Sequence, residues 1–347
     1  MADRTTAPVA RQQPSGGGPR IQTALFALLA CGPACGGPGP EAAGDSAAEI
    51  RGGARATNYP EAVHFRMWTA DDIDTSCNGA LISPRVVVTA GHCVEDFVRF
   101  EVLAPYPRNG AVRVETEESF SAYRSLPGGA LNPDDHDVAV LILPVPIDLP
   151  SYPTIAEAAL PMDGTARVVN IGSRDGELDS ATDLFVGPAV AVDDATDDGF
   201  PRDYHSERVI DPGDSGGPVI AEGSVTHQLV AVNSGGERGN DAAGQLMARL
   251  DFPEVRGRLL EEIRNNGGAG RTAIQCLFDW AEDNYPDYFS PSRPPDQVGL
   301  GYHYRYYSRT NLYLGVSDDG QVRYLTADGQ LLDLGAANTW IENTGCR

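Results

Sequence analysis

The sequence predicts an all-β protein that continues into a small α+β domain. Short runs rich in Val, Ile and Leu recur between turn residues from about residue 50 to residue 264, without alternating helical patterns. This spacing is typical of a β-sandwich or a β-barrel. A single helical pattern follows these runs. The composition then changes near residue 273, after which eight of the thirteen tyrosines occur.

The strands of the first region are predicted from their apolar runs. They are Ala80–Ile82, Val86–Thr89, Val98–Leu103, Val138–Leu143, Ala166–Ile171, Val186–Val192, Val219–Ile220 and Leu229–Val232. Asp251 is a suitable N-cap for the helix that follows, Pro253 suits its first turn, and Gly267 with Gly268 ends it. Apolar residues at helical spacing give this helix a face with which to close the domain: Val255, Leu259, Leu260 and Ile263.

Residues 273–347 form the predicted second domain, and residues 267–272 form its linker. It begins with a helix around Cys276–Glu282 and continues through four predicted strands: Tyr302–Tyr307, Tyr313–Val316, Val322–Leu325 and Leu331–Leu334. A disulfide between Cys276 and Cys346 would close a loop of 70 residues. On the chain-entropy model such a bridge stabilises the fold by about 4 kcal/mol, which a domain of this size needs.

The charge and the residue types exclude several classes of function. The formal net charge is −23, which disfavours nucleic acid and anionic membrane surfaces as partners. All 26 basic residues are arginines, so chemistry that needs a lysine amine is excluded. The six cysteines contain no C-x-x-C pair and have no histidine cluster at zinc spacing. We therefore expect no metal and no cofactor.

The N-terminal residues predict export. Ile21–Ala30 is an apolar run of the length found in signal peptides, and we assign residues 1–31 to the signal. The segment Leu28–Cys31 resembles a bacterial lipobox, in which Cys31 would be lipidated. The alternative is an ordinary signal cleaved near Ala30 or Ala34. Residues 32–49 are rich in Gly, Pro and Ala and indicate a flexible stalk or propeptide, so we expect a lipid-anchored envelope protein or a secreted one.

Three segments of the middle region carry the residue types of nucleophilic catalysis. The first runs from Cys77 to Cys93 and contains His92, the second begins at His136 and contains Asp137, and the third is Gly-Asp-Ser-Gly-Gly-Pro around Ser215. A serine hydroxyl needs an imidazole to accept its proton, and the imidazole needs an acceptor on its other nitrogen. The glycines allow main-chain amides to face a developing oxyanion.

These segments resemble the trypsin and chymotrypsin family of serine endopeptidases over residues 50–264. The resemblance implies two antiparallel Greek-key β-barrels with a C-terminal helix, and we assign residues 50–266 to this domain. It implies His92 as general base, Asp137 as its orienting carboxylate and Ser215 as nucleophile. The remaining roles that it implies are an oxyanion hole at Gly213 and Ser215, support of Asp137 by Ser234, and a disulfide between Cys77 and Cys93.

The same resemblance places the specificity pocket at Val209, Ser234, Gly235 and Gly236. Val209 stands where trypsins carry an acid, so the resemblance does not support cleavage after Lys or Arg. We expect a small or medium apolar residue before the scissile bond. Gly235 replaces the family's usual Trp and is expected to open one wall of the pocket. Asp211 replaces a cysteine, so the disulfide usual beside the nucleophile has no counterpart.

Ile50 resembles the mature N-terminus of the family, whose new amine pairs with the acid before the nucleophile, here Asp214. The resemblance therefore implies a zymogen activated by cleavage between Glu49 and Ile50. The alternative is a single-chain enzyme that holds Asp214 by other contacts. Glu49 is not the Arg or Lys that usually precedes such a site.

Two functions follow from the sequence as hypotheses. The first is a monomeric serine endopeptidase acting on proteins or peptides. The second is an inactive protease-like surface protein that binds through its C-terminal domain, which resembles an uncharacterised module of bacterial exported proteins.

The tyrosine run 302–307 is either a strand of a small core or a stacking face for glycans or peptides. Structural or surface roles are expected for the histidines outside the triad: His64, His136, His205, His227 and His303.

Overall fold

The computed structural model describes the protease-like region and the C-terminal region with short gaps. The described residues are Ile50, 53–173, 183–236, 244–289, 296–299, 301–326 and 329–347. The predicted signal and stalk, including Cys31 and Cys35, lie outside them. None of the described helices is long and apolar enough to span a bilayer.

The first sheet is antiparallel and has seven strands. They are β2 (Ala62–Thr69), β3 (Asp74–Ser83), β4 (Val86–Thr89), β5 (Phe97–Ala104), β6 (Val112–Thr116), β7 (Ser119–Ser121) and β8 (Ala139–Ile142), in the spatial order β6-β5-β2-β3-β4-β8-β7. The sheet curls into a half-barrel whose edges are β6 and β7. The inner strand β4 has the sequence VVVT, and all four of its residues are buried.

The second sheet contains a closed barrel. Its strands are β1 (Ala54–Arg55), β9 (Asp163–Ser173), β10 (Leu184–Val186), β11 (Val190–Asp194), β12 (Asp203–Ser206), β13 (Pro218–Ala221), β14 (Leu229–Gly236) and β15 (Gln245–Arg249). The spatial order is β1-β10-β9-β11-β12-β15-β14-β13, and β13 also pairs with β9, which closes a ring of six strands. The predicted fold class is confirmed.

One apolar core joins the half-barrel to the closed barrel. It extends from Phe65 and Val88 in the first sheet to Ile220 and Val232 in the second. Helix α1 (Pro253–Asn265) packs on the same core through Val255, Leu259 and Ile263. Because the two sheets share buried side chains, residues at the ends of strands from both sheets can meet in one site.

Two details of the sequence prediction are wrong. Val186–Val192 is not one strand but the end of β10 and the start of β11, because Pro188 has no amide to donate to a ladder. The N-cap of α1 is Phe252 and not Asp251, whose carboxylate instead lies 2.8 Å from the guanidinium of Arg249. Pro253 does occupy the first helical turn.

The C-terminal region is a five-stranded antiparallel sheet with three helices. Its elements are α2 (Ala273–Asn284), α3 (Pro286–Phe289), β16 (Gln297–Gly299), β17 (Tyr302–Tyr307), β18 (Leu312–Ser317), β19 (Gln321–Leu325), β20 (Leu331–Ala336) and α4 (Ala337–Thr344). Thr272 caps α2 in a capping box with Gln275. Both predicted disulfides are present, Cys77 with Cys93 and Cys276 with Cys346.

The tyrosine run divides between the two faces of strand β17. Tyr307 is fully buried and packs edge-on to Phe289 at 5.1 Å between ring centroids, as a core residue does. Tyr304 and Tyr306 remain partly exposed and contact Tyr313 on the neighbouring strand. The run is therefore a core strand on one face and an aromatic surface on the other.

Candidate active site

His92 and Asp137 meet because strands β4 and β8 are paired neighbours. His92 lies in a short 3-10 helix, Gly91–Cys93, directly after β4, and Asp137 lies just before β8. The register pairs Thr89 with Ala139, which brings the end of one strand beside the start of the other. His92 Nδ1 lies 2.8 Å from Asp137 Oδ2, and the His92 amide donates to Asp137 Oδ1 at 2.8 Å.

The closed barrel supplies a further donor to Asp137. Ser234 on β14 donates its hydroxyl to Asp137 Oδ2 at 2.6 Å across the junction between the two sheets. Asp137 is buried, with 5% of its surface exposed, so these three donors replace the water that an exposed carboxylate would bind. The arrangement fixes the carboxylate and directs one oxygen at the imidazole.

The surroundings of His92 favour its protonated form. Burial is the largest single influence and lowers its pKa, but the negative charge and the hydrogen bond of Asp137 raise it, and the charge of Glu95 adds to them. The net result is a pKa above the ordinary 6.5. Asp137 thus stabilises the imidazolium that forms when His92 accepts a proton.

The loop around Ser215 leaves two amides without an acceptor. The amides of Asp214, Gly216 and Gly217 donate to main-chain carbonyls, whereas those of Gly213 and Ser215 donate to no group in the described part of the chain. Gly213 has a φ of +109° and Gly216 one of +76°, conformations that other residues rarely adopt. Two free amides that flank a serine hydroxyl are suited to bind an oxyanion.

His92 and Ser215 line one cavity of about 790 Å³. No hydrogen bond joins Ser215 Oγ to His92 Nε2 among the described residues, and this nitrogen lies 3.7 Å from Cys93 Sγ. Such bonds often form only when substrate is bound. The other lining residues are Gly129, Ala130, Leu131, Phe200, Arg208, Ile210, Asp211, Pro212, Ser234, Gly235 and Leu246.

Two of the residues predicted for the specificity pocket do not line this cavity. Val209 packs into the core of the closed barrel, and Gly236 pairs with Gln245 on β15. The fully buried Gln245 lies between them, and its Oε1 accepts from the amides of Val209 and Ile210 at 2.9 and 3.0 Å. Gln245 does not line the cavity itself, but it binds the amide of Ile210, which does.

The wall beside Gly235 is less open than the sequence suggests. A Cβ on Gly235 would lie 2.8 Å from Leu131 Cδ1, so a side chain from the half-barrel covers the position. Arg208 and Asp211 bring charge to the cavity, but they pair with each other at 3.2 Å. The cavity is therefore lined by the apolar side chain of Leu131 on one wall and by the ion pair of Arg208 and Asp211, whose charges offset each other.

The predicted activation residues are both buried. Ile50 is fully buried, and its side chain packs against Gly187. Asp214 accepts the amide of Asp211 at Oδ2, whereas its Oδ1 has no hydrogen-bond partner among the described side chains and amides. Burial raises the pKa of Asp214 to about 7, and the nearby charge of Asp211 also raises it.

The described residues contain one group of possible metal ligands, Cys77, His92 and Cys93. The two sulfur atoms are joined in a disulfide, so neither is a thiolate. A thiolate is the form of cysteine that binds a metal. The group is therefore part of the triad's surroundings and does not form a metal site.

A comparison with known protein families matches residues 50–250 to the family described as Trypsin. The chain belongs to the trypsin family. Solved structures that are similar to this chain include an HL collagenase, with 19% identity over 62% of this chain and 96% of the other, at a TM-score of 0.48. A scabies mite inactivated protease paralogue has 17% identity over 62% of this chain and 100% of its own, at a TM-score of 0.49. Human heparin binding protein has 18% identity over 63% of this chain and 98% of its own, at a TM-score of 0.46.

Three buried polar residues of this trypsin-family site escaped the sequence analysis: Asn78, Asp203 and Gln245. Burial raises the pKa of Asp203 to about 7, and the negative charge of Asp137 adds to the effect. Asn78 and Gln245 border apolar runs, which is the signal that the sequence carries for them, whereas Asp203 stands between Arg202 and Tyr204 without such a signal. Such an interruption marks a polar group that needs a partner but does not identify that partner.

The triad geometry makes a prediction about the pKa of His92 that does not depend on activity. In Asp137→Asn the negative charge of Asp137 and its charged hydrogen bond are lost, while burial and the smaller effect of Glu95 remain, so the pKa of His92 should fall below its wild-type value. The measurement is an NMR titration of the His92 Cε1 signal. Asp135→Asn, which removes a nearby carboxylate not bonded to His92, is the control and should leave the pKa unchanged. Equal values in Asp137→Asn and the wild type would contradict the assigned geometry.

Proposed function

We propose that this trypsin-family protein is a serine endopeptidase that hydrolyses peptide bonds through an acyl-enzyme on Ser215. The observation that carries the proposal is the pair of free amides at Gly213 and Ser215, beside a cavity that His92 also lines. The hydrogen bonds from His92 and Ser234 to Asp137 support the same assignment. The two disulfides are typical of proteins in oxidising compartments and support export.

In the proposed reaction Ser215 Oγ attacks the peptide carbonyl while its proton passes to His92 Nε2. The amides of Gly213 and Ser215 hold the oxyanion, and Asp137 stabilises the imidazolium. The C–N bond then breaks, and the leaving amine takes the proton from His92. A water molecule then gives a proton to His92 and attacks the ester carbonyl. The ester C–O bond breaks, His92 returns the proton to Ser215 Oγ, and the acid leaves.

The alternative function is an inactive surface protein that binds ligands through the C-terminal region. The partly exposed rings of Tyr304, Tyr306 and Tyr313 favour it, since clustered aromatic side chains are frequent in binding surfaces. Labelling of Ser215 separates the two functions, because a fluorophosphonate reacts only with a serine activated by a base.

The proposed function predicts that Ser215→Ala lowers kcat/KM for peptides by about 10⁴-fold or more, because the nucleophile is removed. A fluorophosphonate probe should label the wild type but not the variant. Ser83→Ala is the control, since it removes a buried hydroxyl that has no partner among the described residues, and it should retain labelling and activity. Hydrolysis by Ser215→Ala at the wild-type rate would overturn the assignment, and a folded wild type that resists labelling would favour the alternative.

We further predict that small or medium apolar residues are preferred before the scissile bond. The buried Gln245 binds the amide of Ile210, which lines the cavity. Burial of a cationic substrate side chain without a free counter-charge costs several kcal/mol. A peptide library measures the preference. Gln245→Ala should shift it toward larger side chains such as Phe, while Gln321→Ala in the C-terminal sheet should leave it unchanged. A profile dominated by cleavage after Arg would contradict the prediction.

The last proposal of this section is activation by cleavage before Ile50. In the uncleaved chain Asp214 carries its raised pKa of about 7 against the ordinary 3.8. Its ionisation therefore opposes folding increasingly as the pH rises between these values. A new amine at Ile50 would supply the missing positive charge. Cleavage could also release the domain from an anchor at Cys31.

Cleavage should accordingly raise the Tm more at pH 8 than at pH 5, and Asp214→Asn should abolish this pH-dependent gain. N-terminal sequencing should find Ile50 at the start of the active species. Full activity from a chain that begins at Cys31 would exclude the activation and favour the single-chain alternative.

A further inference from the structure

Asn78 lies in the half-barrel, yet its polar groups bind the nucleophile loop of the closed barrel. This residue follows Cys77 in strand β3 and is fully buried. The main-chain amide of Asn78 donates to the Ser215 carbonyl at 2.7 Å, and its side-chain Nδ2 donates to the Gly213 carbonyl at 2.7 Å. Ser173 gives the Gly213 carbonyl a second, longer contact at 3.3 Å. Asn78 is thus bonded to both residues whose free amides form the proposed oxyanion hole.

The Gly213 carbonyl can only accept, so the NH₂ group of Asn78 faces it and the amide oxygen faces His64. The Asn78 Oδ1 atom lies 3.1 Å from His64 Nδ1, and an amide oxygen can only accept, so Nδ1 must carry the proton. Burial lowers the pKa of His64, which keeps the ring neutral, and its Nε2 has no partner within the described structure. His64 therefore supports the orientation in which the amide NH₂ group faces Gly213.

The peptide unit between Gly213 and Asp214 is consequently anchored at both ends. Its carbonyl accepts from Asn78, and its N–H donates to the Asp211 carbonyl at 3.1 Å. Gly213 has a φ of +109° and no side chain, so its own geometry does little to restrict rotation of this peptide. Rotation of this peptide would change the directions of the adjoining amides of Gly213 and Ser215.

We propose that Asn78 is a positioning residue that holds the oxyanion hole open from the opposite barrel, with His64 fixing its amide. The proposal rests on the proposed function, since an oxyanion hole matters only if Ser215 forms an acyl-enzyme. It assigns a role in catalysis to Asn78, which touches neither the substrate nor the reacting atoms. It also gives the buried His64 a role beyond packing.

The first test is the kinetics of Asn78→Ala. Loss of a direct oxyanion donor lowers kcat by about 10²- to 10³-fold, so loss of the residue that positions two donors should lower kcat by about 10- to 100-fold, with KM within about twofold. The affinity for a peptide aldehyde, whose adduct carries the oxyanion, should fall in the same proportion. The affinity for the corresponding peptide acid should not change, because the product does not need the oxyanion hole.

His64→Phe is the second variant, since it leaves Asn78 in place and removes only the donor that orients its amide. We expect a smaller loss of kcat with the same pattern in the two inhibitors, and this variant decides the question if Asn78→Ala does not fold. Thr116→Val is the control. It removes another buried hydrogen bond from a side chain to a main-chain carbonyl in the same sheet, that of Thr116 to Ile142, and should keep wild-type kinetics.

Three outcomes would overturn the proposal. If kcat in Asn78→Ala stays within twofold of that in Thr116→Val, Asn78 does not position the hole although the enzyme is active. Equal loss of affinity for the aldehyde and the acid would indicate general damage to the site. A wild type that is neither labelled by fluorophosphonate nor active on peptides would refute the proposed function itself, and the role of Asn78 with it.

Discussion

Hydrogen bonds that cross from the half-barrel to the closed barrel hold the candidate site together. The half-barrel contributes His92 and Asp137, and the closed barrel contributes Ser215 and Ser234. The bond from Ser234 to Asp137 spans 97 residues of sequence, and that from Asn78 to the Gly213 carbonyl spans 135. These bonds form only when the two sheets are packed on their shared apolar core, so assembly of the site and burial of the core occur together.

The site concentrates buried carboxylates in a protein that is already strongly acidic. Asp137 accepts hydrogen bonds from His92 and Ser234, whereas Asp214 accepts one from the Asp211 amide at only one of its two oxygens. Burial raises the pKa values of Asp203 and Asp214 to about 7. Burial of an unpaired charge is costly, so a carboxyl in this position remains protonated or acquires a cation. Asp137 is therefore suited to orient the imidazole of His92, whereas Asp203 and Asp214 are suited to respond to a positive charge placed beside them.

The C-terminal region is bonded to the barrels as well as joined to them through residues 267–272. Ser151 donates to the Cys346 carbonyl at 2.7 Å, and Arg347 donates to the Val225 carbonyl at 2.7 Å. Burial lowers the pKa of Arg347, and the charge of Glu61 opposes that effect. The disulfide from Cys276 to Cys346 connects these contacts to helix α2. The partly exposed tyrosines of the C-terminal region therefore belong to a region held against the trypsin-family barrels.

The sequence by itself determined the β-rich fold class, singled out the residues of the proposed triad and paired the four cysteines that the structure joins, because these features depend on local patterns, on spacing along the chain and on resemblance to a family. It could not show that the run Val186–Val192 is interrupted, since the cost of Pro188 depends on which neighbour the strand pairs with. Only the tertiary structure decided what Asn78 and Gln245 do, because their partners are far away in sequence. A buried amide in an apolar run signals that a hydrogen bond is needed, and only the packing of the two barrels determines the group that receives it.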